Sequence, residues 1–215
     1  MKIKILYENA HILAIDKPAG VLVDEILQKF PNYILAHRLD RETSGVLLLA
    51  KNKKMHEFLK QQFSGRTIKK IYNAIVLGEV KKERDVINKP IGRSPKDFRR
   101  KLAGRGARGE LREAITEYKV IKKFKNNSYL EIRPKTGRTH QIRVHMKYIN
   151  HPVVGDKLYN PNGIPLPNLP LRRGRRGGGT PRMMLHARSI EFQNLSGKMI
   201  KVESPLPKEF SKMLK

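Results

Sequence analysis

The sequence contains no cysteine. Without thiols the chain forms no disulfide, zinc ribbon or iron–sulfur site and has no thiolate nucleophile, and it fits a reducing compartment, so a cytoplasmic location is expected. Acidic residues are scarce: 19 Asp and Glu stand against 46 Lys and Arg, a formal net charge of +27 at pH 7 over 215 residues. Lysine-rich proteins whose charge is merely solvated usually balance Lys with Glu, and this one does not. No apolar run approaches the roughly 20 residues that cross a bilayer. The N-terminal MKIKILYENA turns polar before a signal-peptide core could form, so neither a membrane span nor export is expected. No long helix pairs a basic face with a Phe- or Leu-rich one, which makes a membrane surface a poorer partner than a polyanion. The charge points to nucleic acid.

The length suits one well-buried domain over 1–215, and neither a repeat nor a composition shift marks a boundary. The runs Ile3–Tyr7 and Ile12–Ile15 read as a hairpin that leads into the turn Lys17-Pro18-Ala19-Gly20. Asp24 is placed to cap a short helix ending before Pro31. Strand-like runs at Tyr33–Ala36 and Val46–Ala50 flank a polar turn. Asn52 then caps a helix with Met55, Phe58, Leu59 and Phe63 on one face. Strands are expected at Thr67–Leu77, Val86–Ile91, Ala114–Phe124, Ser128–Arg133, Met184–Phe192 and Met199–Glu203. Thr139 is placed to cap a helix running to Asn150, and a last short helix follows Pro207. Two stretches look like basic loops: 93–112, with eight Lys or Arg and little apolar content, and 160–182, with the cluster Arg172-Arg173-Gly174-Arg175-Arg176. The class expected is α+β with a mostly antiparallel sheet.

Two segments concentrate chemistry. In a chain so poor in acids, Asp40 lies between Arg38 and Arg41 on a turn that two strands would hold. Flanking cations keep a carboxylate ionised, which suits a nucleophile or base and equally suits a structural ion pair. The segment Thr136–His145 carries a glycine turn, a helix start, Arg138 and Arg143. It fits an anion site, or equally an exposed helix that is merely basic. His140, His145 and His151 lack metal-ligand spacing, so no metal is expected. Tyr72, in an alternating strand, reads on its own as a packed sheet tyrosine.

In combination these segments resemble a known family. His37-Arg38-Leu39-Asp40-Arg41-Glu42-Thr43-Ser44-Gly45 is similar to the HRLD-x-x-TSG block of the RluA family of RNA pseudouridine synthases. Lys17–Gly20, Lys70–Ala74, Ala114–Tyr118, Thr136–His145, Pro152–Asp156 with Tyr159, Leu185–Ala187 and Pro205–Pro207 resemble its other blocks in order. The resemblance implies a mixed, mainly antiparallel sheet with flanking helices and a central RNA cleft. It also implies a cofactor-free isomerisation that detaches uracil at N1 and reattaches it through C5. It assigns Asp40 as the catalytic carboxylate, at the sugar or in elimination, Arg143 as its ion-pair partner, and Tyr72 as a stacking face that could help remove the C5 proton. Arg38 would fill the stack vacated by a flipped nucleotide, and Arg138 would serve a phosphate.

The blocks begin near the first residue given, so the S4-type RNA-binding domain that the family often carries is not expected to choose the target, and only 16 residues separate Gly20 from His37, a short link expected to trim one cleft wall. Target choice is then expected from basic residues of the domain itself: Arg41, Lys70, Arg99, Arg100, His140, Arg172, Arg173, Arg175 and Arg176. The expected substrate is ribosomal or transfer RNA and the expected state a monomer. The rival from another class is a non-catalytic RNA-binding or ribosome-assembly factor on the same fold.

Overall fold

The computed structural model describes residues 3–161 and 182–214. In chain order the elements are β1 (Lys4–Glu8), β2 (Ile12–Lys17), α1 (Val23–Lys29), β3 (Ile34–Leu35), β4 (Ser44–Ala50), α2 (Lys53–Ser64) and β5 (Lys69–Leu77). These are followed by β6 (Arg84–Asn88), β7 (Ile91–Arg93), β8 (Lys101–Ala103), β9 (Arg108–Arg112), β10 (Ile115–Phe124) and β11 (Asn127–Pro134). The chain closes with α3 (Gln141–Tyr148), β12 (Leu185–Gln193), β13 (Met199–Glu203) and α4 (Lys208–Met213). The expected α+β class with a mainly antiparallel sheet is the one observed. The chain divides into two compact units, residues 1–72 with 186–206, and 73–185 with 207–215.

In the first unit β1, β2, β4 and β12 are neighbours in that order, β3 adds to β4, and β13 to β12. All pairings are antiparallel except that of β4 with β12, which is parallel. The unbroken apolar runs in β2 and β4 follow from burial on both faces of the sheet. Ile12, Ala14, Val46, Leu48 and Ala50 join Met55 and Leu59 of α2 in one cluster. Leu13, Ile15, Leu47 and Leu49 join Val23 and Ile26 of α1 in another. Asn52 caps α2 as expected, its side chain accepting the Met55 N–H at 2.9 Å. Asp24 does not cap α1: the helix starts one residue earlier, and the Glu25 carboxylate instead accepts the Leu22 N–H at 2.9 Å.

In the second unit β10 and β11 form the expected hairpin, and β6 pairs with β10. Residues 93–112 correct the expectation of a basic loop. Strands β8, β7 and β9 make a three-stranded antiparallel sheet there. Two of its apolar residues anchor it: Ile91 and Ala103 pack with Ala114, Val144 of α3 and Tyr159. Thr139 likewise does not cap α3. His140 occupies that position in the left-handed region, with φ 57°, and makes no side-chain cap. The second basic stretch, with Arg172, Arg173, Arg175 and Arg176, lies outside the described residues.

Candidate active site

The loop bearing Asp40 is built between β3 and β4 of the first unit. Leu39 is buried in the cluster under α1 and anchors the loop from inside. The Asp40 carbonyl accepts the Thr43 N–H at 3.0 Å, which closes a four-residue turn. Gly45 ends the block for a steric reason. Its φ is 111°, and a Cβ there would stand 2.2 Å from the Ala187 carbonyl oxygen, so only glycine lets β12 approach.

The turn at Lys17–Gly20 is tied to this loop. Lys17 is fully buried, a rare state for lysine, and its ammonium donates to the carbonyls of Pro18 (2.9 Å), Val21 (2.7 Å) and Arg41 (2.9 Å). The Gly20 N–H donates to the Arg41 carbonyl at 2.9 Å, and Arg41 Nε returns a bond to the Gly20 carbonyl at 3.0 Å. Arg41, expected to face RNA, therefore commits its Nε to the loop, while Arg38 is exposed. Sequence reasoning gave Lys17 no role. Its signals were its place in the Lys17–Gly20 family block and at the end of a largely apolar strand.

Tyr72, from β5, packs on the cluster that holds Leu39, and Asp40 is one of the two causes that push its phenol well above the usual tyrosine range, after burial. Two residues from separate sequence blocks are thus brought together. Burial lowers Lys70, on the same strand, to about 8. His37 is lowered to about 4, first by burial and then by the Lys70 charge, against a backbone hydrogen bond at Arg38. Its Nε2 accepts the Leu48 N–H at 3.1 Å, as a neutral ring can and an imidazolium cannot. That bond fixes the backbone entering Arg38.

In the second unit, the segment Thr136–His145 is held by one connected network. Gln141 Oε1 accepts from Thr136 Oγ1 (2.7 Å) and from the Arg138 N–H (2.9 Å), and its Nε2 donates to the Ile115 carbonyl and to Thr116 Oγ1, both at 3.0 Å. Thr116 Oγ1 lies 2.8 Å from His145 Nδ1, and His145 Nε2 lies 3.0 Å from the Lys89 carbonyl. A neutral His145 protonated on Nε2 satisfies every group, and burial lowers its pKa accordingly. The Arg138 N–H, one donor expected to face an anion, is thus taken by Gln141, while Arg138 Nε donates to the Glu113 carbonyl at 2.9 Å.

Arg143 forms a buried, bidentate ion pair with Asp156, Nε to Oδ2 at 2.7 Å and Nη2 to Oδ1 at 2.9 Å. Asp156 Oδ1 also accepts the N–H groups of Leu158 and Tyr159, each at 3.0 Å. The Arg143 guanidinium stacks 5.0 Å above the Tyr159 ring. His140 meets that ring edge-on, with Nδ1 3.0 Å from the hydroxyl, which in turn accepts the Lys101 N–H at 2.9 Å. Sequence reasoning matched Asp156 and Tyr159 to a family block without giving either a role. The scarcity of acids is the signal that could have singled out Asp156. Farther off, Arg99 spends its fork on Asp97, Nε to Oδ1 at 3.0 Å and Nη2 to Oδ2 at 2.9 Å, and Arg100 stands 3.5 Å from the same carboxylate.

Among the described residues no group of three or more His, Asp or Glu could hold a metal, and no helix is long and apolar enough to cross a membrane. Residues 11–148 match the model of the RNA pseudouridylate synthase family. The chain is 35% identical to ribosomal large subunit pseudouridine synthase D of Xanthomonas campestris, over 99% of this chain and 68% of that protein. It is 37% identical to an uncharacterized RNA pseudouridine synthase of Zymomonas mobilis, over 97% and 95%. Among solved structures it resembles human RNA pseudouridylate synthase domain containing 1, with a TM-score of 0.79 and 28% identity over 96% of this chain and 84% of that one.

Proposed function

Because the chain belongs to the RNA pseudouridylate synthase family, we propose that it isomerises particular uridines in structured RNA, with Asp40 as the catalytic carboxylate. The observation that supports the assignment of Asp40 is its place on a loop anchored by Leu39 and tethered by Lys17, with Tyr72 of a second family block packed on the same cluster as Leu39. The substrate is ribosomal or transfer RNA, and the names of the relatives favour ribosomal. A cytoplasmic location fits such a substrate.

The reaction breaks the N1–C1′ bond, turns the uracil, forms the C5–C1′ bond, releases the C5 proton and adds a proton at N1, so atoms balance without an external reactant. It needs a carboxylate at the sugar, as nucleophile or as base, in a pocket that retains the freed base. The carboxylate of Asp40 fills that role on a loop fixed from below by Lys17 and Leu39. Tyr72, whose phenol burial and then the Asp40 charge push upward, offers its ring to the uracil. Arg143, the arginine the family resemblance implies for the reaction, is held through Nε and Nη2 on Asp156. Asp156 and Tyr159 are then the groups that orient it. The reacting atoms of a stacked uridine are reached by flipping it out, with Arg38 filling the gap.

The test is nucleoside analysis of RNA incubated with the wild type and with Asp40→Asn. Pseudouridine should form with the wild type alone while the variant still binds RNA. An active Asp40→Asn variant overturns the assignment. Intact binding with no product from the wild type on any RNA favours the assembly-factor reading.

A further inference from the structure

Phe98 is 88% exposed, far beyond any other large apolar side chain among the described residues, the next being Val86 at 53%. Its exposure is enforced. The β7–β8 connection is a turn in which the Arg100 N–H donates to the Asp97 carbonyl at 2.9 Å, so Phe98 sits at the first central position of the turn. The Asp97 carboxylate accepts the Arg99 N–H and the Arg99 guanidinium and draws in Arg100, while the Ser94 N–H reaches the Arg100 carbonyl at 3.1 Å. Arg99 and Arg100, expected from sequence to bind RNA, shape the turn that holds the phenyl ring in water.

The strands behind this turn carry a second anomaly. Arg93 pairs in register with Lys101 on one side and with Arg108 on the other, so three cations stand in one cross-strand row. Two strand spacings make that row about 10 Å wide. Like charges placed directly opposite destabilise a sheet. None of the three forms a salt bridge among the described residues, whereas Arg112 next to them has Glu110 at 2.9 Å.

We propose that this three-stranded sheet is a platform for a single-stranded segment of the RNA substrate, with Phe98 stacking on an unpaired base and the row Lys101–Arg93–Arg108 holding the adjoining phosphates. The proposal rests on the RNA reading above and adds a site to it. An aromatic ring beside unneutralised cations is the chemistry of single-strand recognition. A duplex offers no free base face, so the platform selects loops and bulges rather than paired stems.

The test uses the full chain, a 12-nucleotide single-stranded RNA carrying 2-aminopurine, and a fully paired RNA hairpin as comparison. Wild type should quench 2-aminopurine on binding. Phe98→Leu should lose that quench and bind the single strand about 5- to 100-fold more weakly, with little change on the hairpin, while Phe98→Tyr keeps both properties. The salt slope of Phe98→Leu should match wild type, whereas Arg93→Gln with Arg108→Gln should flatten it by about 1.4, two phosphate contacts on a single strand. Wild-type quench and affinity in Phe98→Leu, or an equal loss on the hairpin, overturns the proposal. So does a wild type that does not bind the single strand. Pseudouridine formation is measured separately, so a platform without catalysis and catalysis without a platform are distinct results.

Discussion

The buried pair of Arg143 and Asp156 offers a quantitative test of how the second unit holds its candidate catalytic arginine. Both groups are almost wholly buried, with two direct contacts between them. Removing one member of such a pair leaves the other charge buried and uncompensated, which costs about 3–5 kcal/mol. Asp156→Leu also strips the Leu158 and Tyr159 N–H groups of their acceptor, so it should sit at the upper end, and Arg143→Met at the lower. The double variant has no stranded charge and should cost at least about 2 kcal/mol less than the sum of the singles. Urea denaturation of the four proteins reads the cycle directly. Single losses below about 1 kcal/mol, or additivity within about 0.5 kcal/mol, would refute the picture of a pair that depends on mutual neutralisation. The double variant should fold yet form no pseudouridine, which separates the pair's structural part from the catalytic part proposed for Arg143.

Three further outcomes are expected. Gly45→Ala should fail to accumulate as folded protein or lose more than about 3 kcal/mol in denaturation, because its methyl group would overlap the Ala187 carbonyl; a near-wild-type melting curve contradicts the close approach of β12. Lys17→Met should lower kcat more than it raises KM for RNA, because the Arg41 carbonyl beside Asp40 loses its tether, and a change in KM alone would deny Lys17 that positioning role. His37 has a folded pKa of about 4 against 6.5 when unfolded, so the unfolded chain binds the extra proton between those values. Its stabilising contribution is complete above pH 6.5 and disappears as pH falls toward 4. His37→Gln should flatten the stability profile in that window, and an unchanged slope there would show that the ring is not held neutral.

The fold was legible where burial follows simple patterns. The apolar runs of β2 and β4, the Asn52 cap and the face of α2 all depend on local chemistry that a sequence displays. The sheet at 91–112 was hidden because its stabilising contacts come from Val144 and Tyr159, far along the chain, while its own residues are mostly polar. Thr139 looked the better cap by residue type, but the left-handed His140 ends the loop instead, and backbone strain of that kind leaves no signature in composition. At the site, the block around Asp40 and the position of Tyr72 could be matched residue by residue. The engagement of Arg143 with Asp156 and the burial of Lys17 could not, since both depend on which groups the chain brings together in space.

The central claim is met most directly by RNA labelled with tritium at uracil C5, incubated with the wild type and with Asp40→Asn, and by tritium counted in water. The account predicts release by the wild type and none by the variant, at equal RNA binding. Release by both, or by neither while binding persists, would contradict it.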